Sequence, residues 1–185
     1  KLRPNIDTLH EATKSGNLDL VKYLVNLKIK PTQDVLDEGS KSGNLEFVKY
    51  LISQNVKPDQ DTLDNASASG NLELVKYLIS LNVNPEESTL NAGSQSGNLE
   101  LVKYLIDNYN LKPDIYTLNA GIGSGNLELV KYLISLAIEP DKFTLDNASA
   151  SGNLELVKYL IDNYSLKPNK VTLDIANLND DLTVA

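Results

Sequence analysis

The sequence LDNASASGNLELVKYLI occupies residues 63–79 and recurs unchanged at residues 145–161. The chain repeats itself on either side of this stretch, with neighbouring prolines 27 or 28 residues apart. Such a period indicates a repeat architecture rather than a single globular core. We therefore expect one repeat array over residues 1–185. Its six full repeats begin at Pro4, Pro31, Pro58, Pro85, Pro113 and Pro140, and a C-terminal half-repeat begins at Pro168.

The third repeat shows the predicted hairpin most clearly. Pro58 suits the first turn of a helix, where its missing N–H has no partner to lose, so a first helix is predicted over about residues 58–68. Gly70 permits a sharp turn, and Asn71 is a favourable N-cap. A second helix is predicted over about residues 72–81, because its apolar residues follow helical spacing. Those residues are Leu72, Val75, Leu78 and Ile79.

One such hairpin cannot bury both of its apolar faces alone, so neighbouring repeats must stack. The position eight residues after each proline always carries a small residue, either Ala or Gly, which allows helices to approach closely. The predicted fold class is therefore an all-α solenoid of stacked helix-turn-helix repeats, with about thirteen helices.

Composition limits the function. The chain has 17 basic and 25 acidic residues, a net charge of −8, which disfavours a groove for nucleic acid and a surface for anionic lipid. It has no cysteine, which fits a reducing, intracellular compartment. No apolar run is long enough to span a membrane, and no signal peptide is visible.

Catalytic chemistry is not expected. A catalytic site needs a positioned nucleophile, base or metal, and this chain has a single histidine, His10, and no cysteine. His10 stands where other repeats have Asp or Asn and is interpreted as a surface residue. No phosphate-binding glycine loop is present, because the glycines of residues 121–125 fall at a repeat turn. We therefore predict no enzyme activity and no cofactor.

The second helix, GNLELVKYLI at residues 70–79, resembles that of an ankyrin repeat. The resemblance extends back through Leu63 and Ala66, where the ankyrin pattern has the Leu and Ala of its first helix. Ankyrin repeats usually run about 33 residues, so this is a shortened form. Only a short link such as residues 82–84 joins successive repeats, so the usual hairpin finger is expected to be missing. The resemblance implies a scaffold that binds proteins, mainly through its first helices.

The positions that vary on the first helix are candidates for partner contacts. Three residues after the proline, the series changes from acidic in the early repeats to aromatic in the fifth and sixth. Positions six and seven after the proline share that helix face. The predicted partner-binding residues are Asp34, Asp37, Asp61, Asp64, Ile115, Tyr116, Asn119 and Phe143. Alternatively, the acids form a solvated face and the aromatic rings fold onto neighbouring helices. The four aspartates could also collect a cation, although no calcium-loop spacing is present.

Three classes of function remain open. The first is a non-catalytic scaffold that binds a protein, which has a basic segment to match the acidic face. The second is an engineered or consensus repeat scaffold without a natural ligand, suggested by the near-identical repeats. The third is an RNA-binding α-solenoid, which predicts a basic face where this chain has acids.

Overall fold

A computed structural model of the protein describes residues 3–170 and residue 172. These residues form twelve α-helices and no β-strand. The helices are α1 (Ile6–Lys14), α2 (Leu18–Asn26), α3 (Gln33–Lys41), α4 (Leu45–Ser53), α5 (Gln60–Ala68), α6 (Leu72–Ser80), α7 (Glu87–Gln95), α8 (Leu99–Tyr109), α9 (Ile115–Gly123), α10 (Leu127–Ser135), α11 (Lys142–Ala150) and α12 (Leu154–Tyr164). The all-α prediction is confirmed. The thirteenth predicted helix falls largely outside the described residues.

The first helix of a repeat does not begin at its proline, so that prediction is wrong. In the third repeat α5 begins at Gln60, and Asp59 is its N-cap. The Asp59 carboxylate accepts a hydrogen bond from the Thr62 backbone N–H at 3.1 Å, and Thr62 Oγ1 accepts one from the Asp59 N–H at 3.3 Å. This reciprocal capping box satisfies two backbone donors. Pro58 therefore precedes the cap, where it restricts the backbone of the linker.

The turn and the second helix follow the sequence more closely. Gly70 has a φ of 74°, the left-handed conformation that glycine tolerates best. Asn71 caps α6 by accepting a hydrogen bond from the Leu74 N–H at 3.0 Å, as predicted. The buried residues of α6 are Leu74, Val75 and Leu78. Leu72 is only half-buried, so its place on the core face was wrong.

The described residues fall into two compact units, one ending at Thr89 and the other beginning at Leu90, within α7. In the first unit α3 packs between α1 and α5, and each of these three helices packs on the second helix of its own repeat. In the second unit α9 packs on α11, and again each packs on its own second helix. Successive repeats thus stack through their first helices. A single array over residues 1–185 stays a prediction.

Small residues permit close packing between the two helices of a repeat. A Cβ added to Gly39 of α3 would lie 3.0 Å from Phe47 Cδ1 and 3.1 Å from Leu51 Cδ1, both on the facing α4. At Gly121 of α9 the nearest atom would be Leu133 Cδ1, at 3.1 Å. Both distances are tighter than ordinary van der Waals contact, so glycine lets the two helices of these repeats approach.

The links between repeats are short and contain no strand among the described residues. They span residues 27–32, 54–59 and 81–86 in the first unit and residues 110–114 and 136–141 in the second. The predicted absence of a hairpin finger is therefore confirmed for these links. None of the described helices combines the length and the apolar character needed to cross a bilayer.

Candidate protein-binding surface

The four predicted aspartates of the first unit surround a concave surface, here called the acidic depression. It has a volume of about 340 Å³ and is lined by Asp34, Asp37, Asp61 and Asp64, together with His10 and Lys41. Asp34 and Asp61 are the second residues of α3 and α5, and both are exposed. Asp37 and Asp64 lie one turn further along the same helices and are half-buried. The stacking of first helices therefore brings all four predicted aspartates together.

Asp37 also holds two repeats together. Its Oδ1 accepts a hydrogen bond from Thr62 Oγ1 of the next repeat at 2.7 Å and another from Gln33 Nε2 at 3.0 Å. Asp64 repeats the arrangement, with Thr89 Oγ1 at 2.6 Å and Gln60 Nε2 at 2.8 Å. These threonines are fully buried, so their hydroxyl groups need such a partner. Asp37 and Asp64 thus accept hydrogen bonds that join neighbouring repeats, and only their remaining acceptor sites are available to a ligand in the depression.

The electrostatics of the depression favour a positively charged ligand. Burial raises the pKa of Asp37 above its usual value, and the nearby Asp59 and Asp61 carboxylates raise it further. The hydrogen bonds from Thr62 and Gln33 act in the opposite direction and lower this pKa. A cationic group in the depression would offset both the desolvation and the repulsion. Among the described residues, no three side chains of a metal-binding type are grouped as an ion would require.

The predicted residues of the second unit form a separate, aromatic surface on α9 and α11. Tyr116 and Phe143 are the second residues of these packed helices, and their exposed fractions are 71% and 60%. The Lys142 ammonium lies 4.9 Å from the centroid of the Phe143 ring, a cation–π distance. Ile115, the first residue of α9, is half-buried. Both rings are therefore open to solvent rather than folded into the stack.

The hydrogen bonds that join a threonine of one repeat to the residue six after the proline of the preceding repeat are here called the threonine ladder, and the ladder is interrupted at Asn119. Its Oδ1 is buried and has no hydrogen-bond partner within the described residues. Thr144 of the next repeat donates instead to its own cap, Asp141 Oδ1, at 3.1 Å. At the preceding step Thr117 Oγ1 donates to Asn91 Oδ1 at 2.7 Å. The amide oxygen of Asn119 is therefore covered, whereas the neighbouring aromatic rings are exposed.

The second helices carry a row of ion pairs and cation–π contacts. Lys49 pairs with Glu46 of the same helix at 3.0 Å, and its ammonium also lies 5.6 Å from the ring centroid of Tyr77 in the next repeat. Lys131 makes the equivalent contacts with Glu128 and Tyr159. Since these groups already have partners in the stack, this row is a weaker candidate for a binding surface.

The buried threonines were missed by the sequence reasoning. Thr62, Thr89, Thr117, Thr144 and Thr172 each lie four residues after a proline, so the regularity was visible in the sequence. Each is also three residues after a cap position, which is the spacing of a capping box. That pattern could have identified both the true helix start and the hydrogen bond to the preceding repeat.

Comparison with protein families identifies the repeat. A family model for ankyrin repeats, which spans three copies, matches residues 36–117, 63–144 and 90–172. The chain belongs to the ankyrin-repeat family. The crystal structure of the human ASB11 ankyrin repeat domain is similar to it, with 20% sequence identity and a TM-score of 0.58 over 94% of this chain and 95% of that one. At this identity the likeness shows the fold alone. Comparison with curated proteins gave no match.

Proposed function

We propose that this ankyrin-repeat chain is a non-catalytic protein-binding module whose acidic depression binds a basic segment of a partner. Ankyrin repeats generally act in protein–protein interaction. The observation that carries the finer proposal is the concave cluster of Asp34, Asp37, Asp61 and Asp64, in which burial and mutual repulsion already disfavour the charge of Asp37. A lysine or arginine side chain would relieve that repulsion, and the negative charge of the four carboxylates would steer it to the depression.

The aromatic surface is proposed as a second contact of the same kind of partner, one that takes an apolar anchor. Exposed Tyr and Phe side chains are large, lose little conformational entropy when ordered, and dominate many interfaces. Tyr116 and Phe143 present such rings on two packed helices. The Lys142 ammonium beside Phe143 adds a positive charge at this site, so we expect the anchor to lack a basic residue.

A labelled peptide of lysines with one leucine is a suitable probe for the acidic depression. In the double variant Asp34→Asn, Asp61→Asn, two exposed carboxylates are lost while their shape is kept. We expect the Kd measured by fluorescence anisotropy at low salt to rise about fivefold, and its salt dependence to flatten.

The matched control is Glu46→Gln, Glu73→Gln, which removes two exposed carboxylates from the second helices of the same unit. This control should bind the peptide like the parent chain. If both double variants lose affinity equally, the peptide responds only to overall charge and the proposed site is wrong.

The aromatic surface is tested with an isolated protein partner. Replacing Tyr116 and Phe143 together with Ala should weaken binding by more than about 2 kcal/mol, mainly through faster dissociation. Surface plasmon resonance measures the association rate and the dissociation rate separately. Unchanged dissociation from a variant that melts like the parent would exclude this surface.

A further inference from the structure

A second concave surface of the first unit lies between two consecutive repeat links and is here called the linker pocket. It has a volume of about 650 Å³ and is bounded by residues 28–33 and 54–57, together with Val25 at the end of α2. None of the residues chosen for the acidic depression lines it. The linker pocket is therefore a separate candidate site, independent of the proposed function.

The linker pocket carries unpaired positive charge in an otherwise acidic protein. Lys28, Lys30 and Lys57 line it, and all three are exposed. None of the three forms an ion pair within the described residues. Four other lysines of this unit are paired: Lys14 with Glu11 at 2.8 Å, Lys41 with Glu38 at 3.5 Å, Lys49 with Glu46 at 3.0 Å and Lys76 with Glu73 at 2.9 Å. The free ammonium groups of this unit's links are thus concentrated around one cavity.

The same pocket offers apolar surface. Val25, Ile29 and Val56 line it and are half-buried. At the next link the corresponding residue, Val83, is 9% exposed and belongs to the core. An apolar side chain that enters between Ile29 and Val56 would bury apolar surface there. The corresponding surface of the third link is already buried, at Val83.

The backbone at Lys28 supports a role for its charge. Lys28 has a φ of 69°, in the left-handed region, where the equivalent residues of the next two links are Asn55 and Asn82. Asparagine tolerates this conformation better than a long side chain does. A lysine here costs local stability that an asparagine avoids, and Lys28 lines the pocket.

We propose that the linker pocket binds an acidic segment of a protein. The segment places one apolar side chain against Ile29 and Val56 and its carboxylates beside Lys28, Lys30 and Lys57. Charge complementarity selects this occupant, because a pocket lined by apolar side chains and by three lysines without ion pairs matches an apolar side chain flanked by carboxylates.

The probe is a short fluorescein-labelled peptide of glutamates with one central leucine, followed by fluorescence anisotropy at low salt. The triple variant Lys28→Gln, Lys30→Gln, Lys57→Gln should raise its Kd about tenfold. The control triple Lys14→Gln, Lys49→Gln, Lys76→Gln changes the net charge equally within the same unit and should leave the Kd within about twofold. Replacing the leucine of the peptide with serine should weaken binding to the parent chain about fivefold.

A single substitution separates binding from folding. Lys28→Asn removes one ammonium group and places at the left-handed position a residue that tolerates this conformation. It should therefore raise the melting temperature of the chain while it weakens binding of the peptide. Equal losses in both triple variants, or no binding by the parent chain, would overturn the proposal. Tighter binding of a single-stranded oligonucleotide through the same three lysines would also overturn it, since the pocket would then recognise phosphate.

Discussion

Leu72 and Leu74 lie two residues apart in α6, yet only Leu74 is fully buried. Leu74 and Leu78 are four residues apart, so they share the face that packs in the core, with Val75 beside them. The helix start at Leu72 was predicted correctly, but the apolar spacing included Leu72 and Ile79, which are half-buried, and left out Leu74. Spacing alone could not select the face, because α6 is apolar at Leu72, Leu74, Val75, Leu78 and Ile79 and these residues fit more than one helical face.

Substitutions in α6 test this assignment. Leu74→Ala should lower the free energy of unfolding by about 2–5 kcal/mol, because it leaves a cavity in a packed core. Leu72→Ala should cost distinctly less, and Glu73→Ala under about 1 kcal/mol, since its ion pair with Lys76 is exposed. Urea denaturation measures all three. Equal losses at Leu72 and Leu74 would contradict the assigned face.

The tyrosine pairs at the ends of the longer second helices give a pH-dependent signal. Tyr104 and Tyr109 lie with their hydroxyl oxygens 3.2 Å apart, and this hydrogen bond, with burial, raises the pKa of Tyr109 to about 12. A raised folded-state pKa contributes stability that is complete below the unfolded value near 10 and is lost as the pH rises to about 12. Tyr109 should therefore ionise late in the folded chain.

Absorbance at 295 nm checks this prediction. In Tyr104→Phe the hydrogen bond is lost, so the pKa of Tyr109 should fall toward its ordinary value. The equivalent pair Tyr159 and Tyr164 remains intact in that variant and is the internal control, since the pKa of Tyr159 is also raised to about 12. If Tyr109 still ionised near pH 12 in Tyr104→Phe, the hydrogen bond would not be what sets its pKa.

At the scale of the element, each described second helix passes into a residue with positive φ. In the first unit these include Asn55 and Asn82, whereas the equivalent residue beyond α10, two positions past its end, is Ala137, with a φ of 66°. Alanine is disfavoured in the left-handed region because its Cβ crowds the backbone. Alanine itself gives no signal of a left-handed residue, because it is a helix former, but the asparagines at the equivalent positions, Asn55 and Asn82, do.

Ala137→Asn should therefore stabilise the chain by about 0.5 kcal/mol, and Ala137→Gly by a similar amount, offset by the greater freedom of glycine when unfolded. Thermal melting and urea denaturation provide the measurement. Ser135→Asn, an exposed change inside α10, is the control and should be neutral or slightly destabilising. No gain at Ala137 would mean that the link relaxes away from this conformation.

For the whole molecule, the sequence predicted what the repeats share and missed what differs between them. The proline period, the Ser-Gly-Asn turn and the Asn71 cap led to the hairpin and to its family, since each depends on local chemistry. Predicting the aspartate cluster was also possible, because equivalent positions of stacked repeats lie side by side. The buried oxygen of Asn119 and the linker pocket depend on packing between repeats, which residue spacing alone does not specify.

Stability should depend on the number of repeats. A chain that ends at Glu139 lacks the sixth repeat and the half-repeat, and with them the contacts of α11 with α9. Its free energy of unfolding should fall by more than the intrinsic loss of one hairpin, because a repeat interface is also lost. Urea denaturation with circular dichroism compares the two chains. Equal stability would mean that the final repeats contribute little to folding.

The threonine ladder has a direction, and this has a consequence for how such a chain can lengthen. Thr62 reaches back to Asp37, and Asp64 receives the hydroxyl of Thr89. A segment cut from one proline to the next therefore contains one donor for the repeat before it and one acceptor for the repeat after it. In-frame duplication of that segment supplies both halves of every new hydrogen bond. Insertion of a partial copy removes the acceptor in the neighbouring repeat and leaves the threonine hydroxyl only its own cap, as at Thr144. Changes in gene length by whole repeats are therefore the ones that keep every hydrogen bond between repeats.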